Sequence, residues 1–291
     1  MKTFWIRTAS ALVYAVLFLG SIFMGRITGN NELGIIVLAF FGAFVASGCA
    51  IEYYRIAELG GNHPSRYLGI VLTAMTTLAI ALFADWADSA QSDIIVLIDF
   101  IMGLIVFLSV PCALMAQLWR DSQNPFGDVL HTLLPVIYCA IPLGLMTWLN
   151  DNGILPVCVL LVWGNDSFAY IGGSLVGKHK MWPKHSPGKT WEGTAIGVVS
   201  CMVIAYFVGP LFNSQYPMIV WIVLGLICGV VGTLGDLVES MLKRSVGLKD
   251  SGNIMPGHGG FLDRFDSLLM ILPFAFVIMF LFSLIINTNI L

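Results

Sequence analysis

The chain has 291 residues, of which 58% are hydrophobic and only 11% charged, with a formal net charge of −3 and a mean hydropathy of +0.88. Soluble proteins carry about 25% charged residues, and half that share cannot cover the water-facing surface of a chain this long. Composition therefore excludes a disordered chain, a coiled coil, a disulfide-stapled secreted scaffold and a soluble cytosolic enzyme; what remains is a polytopic membrane protein.

Nine apolar stretches follow one another, at residues 8–24, 33–53, 67–84, 94–118, 129–149, 154–172, 194–212, 217–241 and 267–286. Each has the roughly 17–25 residues that a helix needs to cross about 30 Å of hydrocarbon. None alternates polar and apolar residues, and a helix satisfies its own backbone in lipid, so the pattern predicts helices. The expected fold is all-α, with about nine transmembrane helices: about five in 1–150, and about four with the two basic loops in 151–291. The first stretch, with its basic start at Lys2, resembles a signal peptide. It is long, however, and no Ala-x-Ala site follows before Arg26, so it reads as a retained span. Glu52 and Arg55, near the end of the second stretch, read as a pair. The 6 cysteines lie in apolar runs without a Cys-x-x-Cys and read as free thiols.

Nine spans put every lysine and arginine except Arg26 on one side, and the acidic loop with Asp85, Asp88 and Asp93 on the other. By the positive-inside rule the N-terminus is cytoplasmic and the C-terminus external. The near-neutral charge carries no nucleic-acid signal. More than half of the basic residues fall in two cytoplasmic loops, 173–193 and 243–266, where any chemistry is expected.

The first of these loops follows Trp163-Gly-Asn-Asp166-Ser, which sets a carboxylate in an apolar helix, either as a helix–helix hydrogen-bonding partner or as a site residue. It then carries Ser186-Pro-Gly-Lys189-Thr-Trp-Glu-Gly193. Gly-Lys-Thr before a helix is part of a P-loop, but the earlier glycine is missing at the required spacing, so a Walker motif is rejected and a looser phosphate grip by Lys189 remains. Ahead of the second loop, Asp236 and Glu239 share a helix face, with Lys243 one turn beyond Glu239. Glu239 either pairs with Lys243 or joins Asp236 in holding metal or substrate. Asp263 and Asp266, three residues apart at the start of the last helix, either complement its dipole or belong to a site. Between the two acid pairs lie Arg244, Lys249, Asp250, His258, Gly259 and Gly260, and Arg264 falls inside the second pair. Carboxylates beside cations and a Gly-Gly turn are what a metal–phosphate site requires. Gly225-x-x-x-Gly229, with Gly232, marks a close-packing helix face.

The run from Ser240 to Asp266, with Lys243-Arg244, Lys249-Asp250 and His258-Gly-Gly-x-x-Asp263-Arg-x-Asp266, resembles the C-terminal signature of the phosphatidate cytidylyltransferase family, the CDP-diacylglycerol synthases. Ser186–Gly193 and Gly164–Ser167 match further elements of that family, and Met255 is a mild departure. The motifs cover about the C-terminal 45% of the chain; the N-terminal half is similar only as a run of apolar spans, with Glu52 in a like setting. The resemblance implies transfer of a cytidylyl group from CTP to phosphatidate, with Mg²⁺ as one ion or two, in the bacterial inner membrane, and a homodimer. It implies catalytic roles for Asp236, Asp263, Lys249 and Arg264, and substrate contacts from Ser186, Lys189, Lys243, Arg244, Asp250, His258, Gly259 and Gly260. It also implies metal ligation by Asp236 and Asp263, with Asp166, Glu239 and Asp266 as helpers. A CTP-dependent lipid kinase and an ion-coupled transporter are the competing readings.

Overall fold

The computed structural model describes the backbone of residues 2–86, 93–252, 254 and 259–287, and side chains within 12–82, 103–252, 254 and 259–285. The side chains of Asp85, Asp88, Asp93 and His258 lie outside the described residues. The chain divides into two compact units, Met1–Trp148 with Ser245–Arg264, and Leu149–Arg244 with Phe265–Leu291.

In the first unit, helices α1 (Lys2–Thr28), α2 (Asn31–Leu59), α3 (Arg66–Trp86) and α4 (Asp93–Gln117) follow in order. Asn30 caps α2, its side chain accepting from Leu33 N at 3.0 Å. Gly34 sits directly on the Gly25 backbone, so α1 and α2 meet at their joined ends without a side chain between them. The fifth apolar stretch is not one regular helix. It runs as α5 (Pro125–Pro135), a π-helical turn (Val136–Ala140), α6 (Ile141–Gly144) and α7 (Met146–Asp151). Pro135 and Pro142 lack the N–H groups a continuous helix would use, and the π turn between them absorbs the interruption. Tyr53, Tyr54, Ala50 and Ala57 of α2 form a buried cluster with Ile70 of α3. The Tyr54 hydroxyl donates to Thr132 O at 2.8 Å, in space that a Cβ on Gly69 would fill.

The second unit contains α8 (Ile154–Val176), α9 (Trp191–Phe212), α10 (Met218–Ser245) and α11 (Leu262–Asn287), the last two running on at one end into residues of the first unit. Between α8 and α9 stands a two-stranded antiparallel hairpin, β1 (Lys180–Trp182) with β2 (Ser186–Thr190), which pairs Lys180 with Thr190 and Trp182 with Ser186. The fold is otherwise helical as expected, and this short hairpin is its one addition among the described residues. Gly225 and Gly229 of α10 lie against the α9 backbone, where Cβ atoms would come 2.7 Å from Cys201 O and 2.7 Å from Val198 Cα. The small-residue face is thus used inside the unit.

Each of the nine apolar stretches is helical. Among the described residues, six helices are long and apolar enough to cross a membrane: Asn31–Leu59, Pro125–Asp151, Ile154–Val176, Trp191–Phe212, Met218–Ser245 and Leu262–Ile285. The described parts of α1, α3 and α4 are apolar but shorter. All six cysteines are free.

Candidate active site

In the second unit, α10 presents Asp236 and Glu239 one turn apart, and α11 brings Asp266 to them. Ligand oxygens from the three carboxylates lie within 4.8 Å of one another. Glu239 is fully buried, and Lys243 Nζ reaches its Oε2 at 2.5 Å along the same helix. Lys189, from the end of β2, places Nζ 2.5 Å from Asp236 Oδ2 and donates to Thr233 O at 3.2 Å. Ser267 N donates to Asp266 Oδ1 at 2.6 Å, and Ser267 Oγ to Gly232 O at 3.1 Å, which docks the start of α11 on α10. Gly235 makes that approach possible, since a Cβ there would come 2.8 Å from Asp266 O.

Lys189 also lines a cavity of about 430 Å³ with Asp166, Ser186 and Asn165. The hairpin that carries Lys189 is held at both ends. Thr190 caps α9 by accepting from Gly193 N at 3.2 Å. Glu192, in the first turn of α9, accepts from Lys178 N at 3.1 Å and lies 2.6 Å from His179 Nδ1. Asn165 donates to Thr233 Oγ1 at 3.1 Å, and the Thr233 hydroxyl in turn donates to Gly229 O at 2.8 Å, so the cavity floor is tied to α10. The chemistry of this donor set is hard oxygen, suited to a divalent cation such as Mg²⁺, with lysines alongside that suit phosphate.

The first unit holds the other signature residues. Asp263 Oδ2 accepts from Ser251 N at 3.0 Å and Gly260 N at 2.8 Å. Gly259 has φ +83°, which a side chain would strain, and a Cβ there would also collide with the Asp263 carboxylate. Lys249, Asp250 and Arg264 are exposed, as is Arg244 in the second unit. His258 lies outside the described residues. Of the expected site residues, the structure therefore gathers Asp236, Glu239, Asp266, Lys189 and Lys243 around one carboxylate group, with Asp166 and Ser186 in the wall of the cavity that Lys189 also lines.

Glu52 does not pair with Arg55 as expected. Glu52 is 3% exposed and accepts from Phe261 N and Leu262 N, both at 2.9 Å, while Arg55 is exposed. The sequence signal was partial: a carboxylate at the end of a long apolar run needs donors, and Arg55 on the same helix was the local candidate, whereas the donors that meet it come from a segment 199 or more residues away. Asn165 and Thr233 were missed as site residues, because a neutral polar side chain in an apolar helix carries no charge to mark it.

Comparison with known proteins gives a consistent result over nearly the full length. A profile of the cytidylyltransferase family matches residues 5–282. The chain is 31% identical to the phosphatidate cytidylyltransferase of Staphylococcus haemolyticus (strain JCSC1435) over 272 residues, 92% of this chain and 96% of the relative. It is 30% identical over 275 residues to the enzyme of the same name from Staphylococcus saprophyticus, again 92% of this chain and 96% of the relative. With the phosphatidate cytidylyltransferase of Bacillus subtilis (strain 168) it shares 48% identity over 130 residues, 45% of this chain and 48% of the relative.

Proposed function

The chain belongs to the cytidylyltransferase family, and on that premise we propose that it transfers the cytidylyl group of CTP to phosphatidate, giving CDP-diacylglycerol and pyrophosphate. The observation that carries the reading is Lys189, which lines the cavity beside Asp166 and Ser186 and lies on the Asp236 carboxylate of the acidic group. A phosphate oxygen of phosphatidate attacks the α-phosphorus of CTP, the bond to the β-phosphate oxygen breaks, and pyrophosphate leaves. No strong base is needed, since the attacking phosphate is already anionic. The obstacle is bringing two anions together, which fixed positive charge overcomes.

Asp236, Glu239 and Asp266, whose carboxylates cluster, would hold Mg²⁺, with Asp263 and Asp166 as the further ligands the signature implies. When bound, the ion supplies positive charge to the phosphate oxygens of both substrates. Lys189 orients the nucleotide phosphates from the cavity side, with Ser186 beside it. Lys243 holds Glu239 in place through their ion pair. Lys249, Arg244 and Arg264, all exposed, stabilise the departing pyrophosphate, and Asp250, His258, Gly259 and Gly260 complete the substrate loop.

Two further parts of the proposal concern the membrane. All nine apolar stretches are helical, and nine spans of a bacterial inner membrane with a cytoplasmic N-terminus would turn both basic loops to the cytoplasm, where CTP is found. The region 151–291 carries most of the substrate contacts, and a homodimer is the proposed assembly.

The test is transfer from CTP labelled at the α- or γ-phosphate, with phosphatidate in detergent. Label from the α-position in lipid is the expected result. Label from the γ-position in lipid would identify a lipid kinase instead, and ion-driven uptake into vesicles with neither label in lipid would favour a transporter. Chelation of divalent ions should stop transfer and Mg²⁺ restore it; transfer that survives chelation would remove the metal assignment.

A further inference from the structure

We propose that Glu52 is a positioning residue for the transfer reaction, the mould on which residues 249–252 and 259–264 take their working shape. Its effect on turnover rests on the cytidylyltransferase reading above, whereas its effect on the segment does not.

Three donors from this segment converge on the Glu52 carboxylate. Phe261 N reaches Oε1 at 2.9 Å, Leu262 N reaches Oε2 at 2.9 Å, and the Ser251 hydroxyl reaches Oε2 at 2.6 Å. The two amides open α11, so a buried negative charge meets the positive end of a helix dipole. Ser251 joins Glu52 to Asp263. Its Oγ lies 3.0 Å from Asp263 Oδ2, and its backbone N donates to that same oxygen at 3.0 Å. A hydroxyl has one proton. The shorter approach assigns it to Glu52, and Asp263 Oδ2 keeps the Ser251 and Gly260 amides.

The surrounding residues are shaped to this carboxylate. A Cβ on either Gly252 or Gly260 would collide with Glu52 oxygens, so the backbone closes on the acid from both sides. Phe261 lies over Gly48, where a Cβ would run into its ring, and its ring centroid is 5.4 Å from that of Phe44, edge to face. Residues 44, 48 and 52 recur every four positions, which puts them on one stripe of α2. That stripe offers an aromatic edge, a gap and a carboxylate in succession. Each is met by a residue of the signature segment that also carries Lys249, Asp250, Asp263 and Arg264.

The test pairs hydrogen–deuterium exchange with steady-state kinetics on the full-length protein in detergent. Glu52→Gln replaces one acceptor oxygen with an NH₂ group, which faces a donor. Exchange in peptides spanning 249–264 should rise while peptides of α8 and α9 keep the wild-type pattern. The kcat should fall by roughly 30- to 100-fold, with KM for CTP changed less than about threefold, because misplacement of reacting groups weighs on turnover more than on binding. Unchanged exchange, a kcat within threefold of wild type, or loosening of every helix together would each overturn the proposal. Should Glu52→Gln fail to accumulate as folded protein, Ser251→Ala carries the same test. The same local rise in exchange with a fall in kcat supports the link between Glu52 and Asp263, and wild-type values in both overturn it. If wild-type protein transfers no α-label, the activity reading falls and the exchange measurement alone decides the role of Glu52.

Discussion

Glu239 is fully buried, and Lys243 meets its carboxylate at 2.5 Å. Removing one partner of such a pair leaves a charge without compensation, which costs about 3–5 kcal/mol, whereas replacing both by apolar groups of similar size is often neutral. Glu239→Leu alone should therefore lower the unfolding temperature in detergent sharply, and Glu239→Leu with Lys243→Met should recover most of the loss. Additive losses in the double variant would contradict the pairing. Lys189 answers to a different measurement. Lys189→Met removes a cation that lies on Asp236 and lines the cavity, and activity should fall by about 10²–10³, the usual loss when one electrostatic stabiliser is removed. Its folded stability should change little, since Lys189 is only partly buried. At this scale the sequence was half legible. Asp236, Glu239 and Lys243 lie on one helix and declare their proximity by spacing. Lys189 lies 47 residues before Asp236, and its contact is invisible until the chain folds.

The helices of the second unit approach through glycines, and that is where an added side chain does most harm. A Cβ on Gly229 would come 2.7 Å from Val198 Cα, a backbone atom that cannot swing away. Gly229→Leu should separate α9 from α10, costing at least about 1–3 kcal/mol, and reduce the yield of monodisperse protein on size exclusion. The N-cap of α9 is a milder case. Thr190→Ala loses the acceptor for Gly193 N and should cost about 1 kcal/mol of thermal stability, with some loss of activity because β2 enters the helix at that residue. The glycine pattern was readable in the sequence, but its partner was not, since a second copy and a neighbouring helix offer the same kind of surface. The hairpin escaped the sequence reading for another reason. Its strands have 3 and 5 residues, rich in lysine, glycine and proline, and are held by caps and a carboxylate rather than by strand propensity.

For the molecule as a whole, the orientation proposal makes a simple prediction. With nine spans, Lys184 lies on the cytoplasmic side and Gln215 on the external side. In intact cells a membrane-impermeant thiol reagent should label Gln215→Cys and leave Lys184→Cys untouched until the membrane is opened. The reverse pattern would invert the topology, and labelling of both from outside would break the nine-span count.

Composition and hydropathy are sums over local residues, and lipid imposes its demand on each segment separately. The sequence by itself therefore determined that the chain is a helical membrane protein, where its helices lie, and that its charge collects in two loops. The spacing of Asp236, Glu239 and Lys243 within one helix was equally local. The tertiary structure decided which acids meet. Asp266 joins Asp236 and Glu239, Lys189 comes to Asp236, and Ser251 crosses 199 positions to reach Glu52. Each of these is a polar group in an apolar setting that must find a partner, and the identity of that partner is settled by whichever donor the packed helices bring within hydrogen-bonding reach.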